Sequence, residues 1–142
     1  MLVAEVMNKN VKTIKPDSTA QGAARLMIKY SIGSLIVTDG SKLAGIVTER
    51  DVLMKVVAAA KDSSKVAVKS IMSKDVVLAK PNIDIEEAAR IMVRYKIKKL
   101  PIVAGNRLIG IVTATDIVGA QPEMMKRLSE LLLVSQKKLV AG

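Results

Sequence analysis

The sequence contains no cysteine, no histidine, no phenylalanine and no tryptophan. Without cysteine there is neither a disulfide nor a thiol nucleophile, and without cysteine and histidine together the zinc sites built on them cannot form. No imidazole is available as a general base. Two tyrosines are the only aromatic side chains, so recognition modes that rest bases on aromatic rings lose their usual platform. No apolar run approaches the roughly 20 residues needed to span a bilayer. No positively charged segment followed by an apolar stretch opens the chain, so a soluble, cytoplasmic protein is expected. A glycine-rich phosphate loop of P-loop type is also missing. Asp39, Asp62, Asp75 and most glutamates fall in turns, linkers or exposed helix faces, where solvated charge is the ordinary state. An enzyme is therefore not expected, and no catalytic or metal-ligating residue is assigned.

What the chain does have is aliphatic mass and positive charge. Half of its 142 residues are hydrophobic, eight of them methionine, enough for one ordinary domain with a core of Val, Ile, Leu, Ala and Met. The formal charge is +10. Such a balance favours anionic partners, whether nucleotide phosphates, nucleic acid or an acidic protein surface. The plain alternative is a lysine-rich surface that keeps the protein soluble.

The strongest pattern is an internal repeat. Gly45-Ile46-Val47-Thr48-Glu49-Arg50-Asp51 returns as Gly110-Ile111-Val112-Thr113-Ala114-Thr115-Asp116, an offset of 65 positions. The same offset aligns Met7 with Met72, Pro16 with Pro81, Ala23-Ala24-Arg25 with Ala88-Ala89-Arg90, and Met27 with Met92. Tyr30 and Tyr95, Ile32 and Ile97, Gly40 and Gly105 also coincide, and no gap is needed from Val3 to Ala120. A fixed period of this length marks one supersecondary unit used twice. The expected division is a first unit over 1–60, a linker over 61–65, a second unit over 66–121 and a helical tail over 122–142.

Within the first copy, Val11–Ile14 reads as a strand and Pro16–Thr19 as a helix start whose side chains can accept orphan N–H groups. Ala20, Ala23, Ala24, Met27 and Ile28 fall on one helical face. Ile32–Thr38 and Lys42–Thr48 are strands around the turn Asp39-Gly40-Ser41. Val52, Leu53, Val56 and Val57 then have helical spacing over Asp51–Ala60. The unit is strand, helix, strand, strand, helix, an α/β arrangement of α+β type. In the second copy Asn82 or Asp84 caps a helix carrying Ile85, Ala88, Ala89, Met92 and Val93. Leu100–Val103 and Arg107–Thr113 form a hairpin, and Asp116 opens a helix that Pro122 interrupts. Met124–Val140 is a further amphipathic helix, with Met124, Leu128, Leu131, Leu132 and Leu139 on one side and Lys126, Arg127, Lys137 and Lys138 on the other.

Each copy thus ends an apolar Gly-Ile-Val strand in threonine, with aspartate three residues later at the next helix start. Helix capping accounts for both residue types. The alternative is that Asp51 and Asp116 each accept the paired hydroxyls of a ribose, while Thr48 and Thr113 offer hydroxyls where phosphate is welcome. Two copies in register, in a basic chain, favour the ligand reading.

The repeated motif resembles that of the CBS domain, and from Val3 to about Ala120 the chain resembles a tandem CBS pair, or Bateman module. The resemblance implies two βαββα units packed pseudo-symmetrically, with adenine nucleotides (AMP, ADP or ATP) or S-adenosylmethionine bound in clefts between them and no obligatory cofactor. It implies one cleft holding Thr48, Arg50 and Asp51 with Met72, Val77, Ile97, Lys98 and Lys99. The other would hold Thr113 and Asp116 with Met7, Lys12, Ile32, Gly33 and Ser34, and Ile46 and Ile111 would line the base pockets. Arg50, Lys98 and Lys99 lead to the expectation that the Asp51 cleft takes the more highly charged or tighter nucleotide. Ile36 stands where the second copy has Pro101, the commoner residue of the family in that strand. CBS pairs generally form disc-like dimers, so a homodimer is expected, with the C-terminal helix adding contacts or touching an anionic surface. No output domain is recognised beside the module, and the readout would fall to a separate protein or to the oligomer. The competing expectation is a nucleic-acid binder acting through backbone phosphates and the basic tail.

Overall fold

The computed structural model describes the backbone of residues 1–141 and the side chains of residues 1–133. Two compact units make up the chain. One gathers Val11–Val76 with Asn106–Leu108; the other gathers Met1–Asn10, Val77–Gly105 and the residues from Ile109 onward. These bodies do not follow the repeat boundaries in the sequence, because each repeat gives its opening segment to the other body. Backbone groups leaving water need partners, and the two opening segments find theirs across the exchange. Val3 N donates to Ile83 O (2.9 Å), Ala4 N to Pro81 O (3.1 Å), and Ile85 N to Met1 O (3.0 Å). In the other body Ala20 N donates to Val66 O (2.8 Å), Val68 N to Ser18 O (2.8 Å) and Lys69 N to Pro16 O (2.9 Å).

In the first-repeat body, β1 (Thr13–Ile14) pairs in parallel with β2 (Ser34–Asp39), which runs antiparallel to β3 (Lys42–Thr48). The β2–β3 turn uses Gly40 at φ 63°, a left-handed conformation that glycine adopts without steric cost. The register places Ser34 opposite Thr48 and Ile36 opposite Ile46. Helix α2 (Ala20–Tyr30) starts at Thr19, whose hydroxyl accepts from Gly22 N at 3.0 Å. After β3 comes α3 (Glu49–Val52), which widens into a π-helical turn over Leu53–Val57. The core is Ile14, Ala20, Ala23, Met27, Leu35, Val37, Val47, Val56, Val68 and Ile71. The helical spacing here over-predicts burial. Ile28 is 78 % exposed, and Leu53 and Val57 are 60 % and 64 % exposed. The period finds the helix but not the width of the face that is covered.

The second-repeat body opens with a short helix, α1 (Val3–Val6). Here α4 (Ile85–Tyr95) is capped by Asp84, whose Oδ1 accepts from Glu86 N at 2.9 Å. β4 (Lys99–Ala104) and β5 (Arg107–Thr113) follow, then α5 (Ala114–Ala120), a 3-10 turn over Pro122–Met124 and α6 (Met125–Ala141). The first strand expected of this repeat is reduced to a single parallel bridge between Ala79 and Ile102. The buried cluster includes Val3, Ile85, Met92, Leu100, Ile102, Val112, Ile117, Met124 and Leu128, with Leu131 and Leu132 packed against it. As far as Leu133, where the described side chains end, the tail is therefore seated on its own body by one apolar face. Lys137, Lys138 and Leu139 lie outside the described side chains.

Candidate functional site

Both copies of the motif build the same local object. Thr48 ends β3 with extended backbone, and its Oγ1 accepts from Asp51 N at 3.1 Å. In return Asp51 Oδ2 accepts from Thr48 N at 2.9 Å and from Thr48 Oγ1 at 3.0 Å. In the second body Thr113 Oγ1 accepts from Asp116 N (3.0 Å) and Asp116 Oδ2 from Thr113 N (2.9 Å). These are reciprocal capping boxes, which satisfy donors that a helix start leaves over. Capping uses Oδ2 alone in each case. A carboxylate has about four acceptor positions, so a capping role leaves Oδ1 for other work. Capping and ligand binding are compatible at these aspartates.

The Oδ1 atoms differ in their surroundings. Lys55 Nζ lies 3.2 Å from Asp51 Oδ1 and donates to Ile71 O at 2.8 Å. The position equivalent to Lys55 in the second copy is Ala120.

Each motif is preceded by a glycine pressed against a methionine. A Cβ on Gly45 would lie 2.9 Å from Met72 Sδ and 2.6 Å from Ser73 O; on Gly110 it would lie 2.6 Å from Met7 Sδ and 3.1 Å from Asn8 O. Paired backbone bonds hold these approaches: Ile46 N to Ser73 O (2.9 Å) with Ser73 N to Ile46 O (2.8 Å), and Ile111 N to Asn8 O (2.9 Å) with Asn8 N to Ile111 O (2.8 Å). Met72 thus lies beside Ile46 in one body, and Met7 beside Ile111 in the other. Ser73, Asn8 and the two glycines were not among the candidate residues. Their signal was the glycine in the strand interior, which marks close approach by another segment.

The strand starts show a complementary exchange. Glu49 N donates to Gly33 O at 3.0 Å, and the Glu49 carboxylate occupies the space a side chain at position 33 would need. In the second body Ala114 N donates to Lys98 O at 2.8 Å. A large side chain thus stands at one of the two positions in each copy, acidic at Glu49 and basic at Lys98. Gly33 and Glu49 also edge an apolar groove of about 400 Å³ lined by Ala24, Met27, Ile32 and Leu53. Lys12 Nζ lies over the Tyr30 ring at 4.5 Å.

Of the candidate residues, Lys12, Ile32, Gly33, Ser34, Ile46, Thr48, Arg50, Asp51 and Met72 belong to the first-repeat body. Met7, Val77, Ile97, Lys98, Lys99, Ile111, Thr113 and Asp116 belong to the second. The displaced carboxylate pKa values lie away from them. The Lys69 ammonium, bonded to Asp17 at 2.8 Å, holds that carboxyl below its ordinary value and is itself raised. Asp84 is lowered first by the Glu86 N–H it accepts. Among the described residues no group of acidic side chains could hold a metal ion, and no helix is long and apolar enough to cross a membrane.

Known proteins resemble this chain in sequence and fold. The profile of the CBS domain matches residues 3–58 and again 68–123, the same offset of 65. The CBS domain-containing protein YhcV of Bacillus subtilis is 35 % identical over 115 residues, covering 81 % of either chain. An inosine-5'-monophosphate dehydrogenase of Methanocaldococcus jannaschii is 46 % identical over 116 residues, which are 80 % of this chain but 22 % of that enzyme. The crystal structure of the CBS-domain containing protein ATU1752 from Agrobacterium tumefaciens superposes with a TM-score of 0.73 at 29 % identity, covering 85 % of this chain and 99 % of that one.

Proposed function

The chain belongs to the CBS-domain family as a tandem pair of CBS domains, and we propose that it is a regulatory module sensing an adenine nucleotide (AMP, ADP or ATP) or S-adenosylmethionine. Asp51 and Asp116 accept the ribose hydroxyls, Thr48 and Thr113 orient them, and Ile46 with Met72 and Ile111 with Met7 offer apolar contact to the base. Arg50, Lys98, Lys99 and Lys12 supply positive charge for phosphate, and Val77, Ile97, Ile32, Gly33 and Ser34 complete the lining. The observation that carries this reading is the duplicated capping box, whose cap consumes only one oxygen of each carboxylate. The dehydrogenase relatives, whose name specifies a purine nucleotide, match this chain over a small part of their length, which supports a purine ligand without transferring the catalytic activity. The module carries out no reaction. Its output is a change in contacts with a second copy or a separate partner, and it requires a ligand that binds two states with different affinity.

Isothermal titration of AMP, ATP and S-adenosylmethionine into wild type, Asp51→Ala and Asp116→Ala tests the reading. Saturable binding weakened by either substitution is expected. Titrations silent with all three ligands, in folded protein, would leave capping as the whole role of both aspartates. The nucleic-acid alternative rests on net charge and the basic tail; it predicts a mobility shift at low salt that fades steeply as salt rises.

A further inference from the structure

Resting on that reading, we propose that Lys55 is a specificity-determining residue that makes the two motifs unequal: it competes with the ligand for Asp51, so that Asp116 fills first. Capping already commits Asp51 Oδ2 to Thr48 N and Thr48 Oγ1, and Lys55 Nζ stands 3.2 Å from the remaining oxygen. A ribose diol approaching Asp51 must share Oδ1 with that ammonium or displace it. At Asp116 the equivalent position is Ala120, which has no group to offer.

Lys55 is held from a second direction. Its other bond, to Ile71 O at 2.8 Å, anchors it to the segment that carries Met72 and Ser73. A π-helical turn over Leu53–Val57 surrounds it, with Ala58 N bonded to Leu53 O at 2.8 Å. Such turns re-aim side chains and cost regular hydrogen bonding, and they recur at functional positions. In the second body α5 remains α-helical through Ala120. The lysine and the turn that presents it therefore occur together, and in one copy only. Displacing Lys55 would free it from Asp51 while leaving its bond to Ile71, so the lysine links ligand arrival to the Met72 segment. This ranking is opposite to the one that Arg50, Lys98 and Lys99 alone would give.

The size of the effect follows from exposure. The Lys55 side chain is 47 % exposed and Asp51 17 %, so the pair is largely screened and its loss should change affinity by about two- to five-fold. The test titrates AMP into full-length wild type, Asp116→Ala, Asp116→Ala with Lys55→Met, and Asp51→Ala with Asp116→Ala; methionine keeps the aliphatic stem. Wild type should show two binding steps, the tighter of which Asp116→Ala removes. In that background Lys55→Met should tighten the remaining step two- to five-fold. Unchanged or weakened binding would overturn the assignment of Lys55, weakened binding because the ammonium would then be meeting phosphate. The assignment also fails if Asp51→Ala, tested alone, removes the tighter step. Failure of the underlying reading looks different: the double aspartate variant would bind AMP as wild type does, or wild type would bind none of AMP, ATP and S-adenosylmethionine; if ATP or S-adenosylmethionine binds instead of AMP, the same series is read with that ligand.

Discussion

The two strand glycines give the sharpest test of how closely the neighbouring segments press on β3 and β5. Adding one methyl group at Gly45 or Gly110 should not be equivalent, although the residues occupy the same position in the repeat. At Gly45 the new Cβ meets Ser73 O at 2.6 Å, the backbone oxygen of a residue held by two hydrogen bonds to Ile46, and Met72 Sδ at 2.9 Å. Relief requires the Ser73 segment to move, which strains or breaks bonds worth about 0.5–1.5 kcal/mol each. At Gly110 the nearest atom is Met7 Sδ at 2.6 Å, the end of a flexible side chain, and the backbone oxygen of Asn8 is farther away at 3.1 Å. A rotamer change of Met7 absorbs much of that clash. Overpacking costs about 1–3 kcal/mol, with the lower end expected where a flexible side chain yields. Gly45→Ala should therefore lose about 3 kcal/mol and Gly110→Ala about 1–1.5 kcal/mol. Urea unfolding followed by circular dichroism reads the difference. With a slope near 2 kcal/mol/M, the midpoints should fall by about 1.5 M and by about 0.6 M. Equal losses, or a larger loss at Gly110, would refute the claim that the backbone at Ser73 and the thioether at Met7 are what the two glycines accommodate.

Other consequences can be measured alongside. Leu128→Ala, which empties a fully buried site on α6, should cost about 2–4 kcal/mol in urea unfolding, whereas a tail not packed on its body would lose almost nothing. Thr113→Ala removes the hydroxyl that accepts from Asp116 N and should cost about 1 kcal/mol in urea unfolding without ligand; an unchanged midpoint would count against the cap. With no histidine, stability should be flat between about pH 5 and 7.5. It should fall in acid, because Asp84 and Asp17 have folded-state pKa values below their unfolded ones. Their contributions are complete above the unfolded value and disappear as pH falls through the folded one. Thermal unfolding of Asp84→Asn should lose part of that acid limb; an unchanged limb would count against the Glu86 bond as its cause. Lys69 has the opposite sign: raised by Asp17, it contributes until alkali removes its proton.

Much of this protein is legible in its sequence. A fixed offset of 65 exposed the duplication, and the β3 and β5 spans, the Gly40 and Gly105 turns and the Thr-x-x-Asp helix starts stand where the residue pattern places them. Those features are local: alternation, positive φ and capping each depend on residues a few positions apart. The family was legible because the same motif recurs in register.

Tertiary structure alone decided the rest, because it depends on contacts between segments far apart in the chain. The exchange of opening segments, with Val3 bonded to Ile83 and Val68 to Ser18, leaves no periodic trace. Ile28, Leu53 and Val57 fit an apolar face, yet nothing in the body covers them, and spacing cannot report what packs against a helix. The pressing of Met72 on Gly45 joins residues whose types are unremarkable singly. Likewise the aspartates are identical as letters in the motif. Only the folded chain brings the Lys55 ammonium to Asp51 Oδ1, by a π-helical turn and a bond to Ile71 that no local rule encodes.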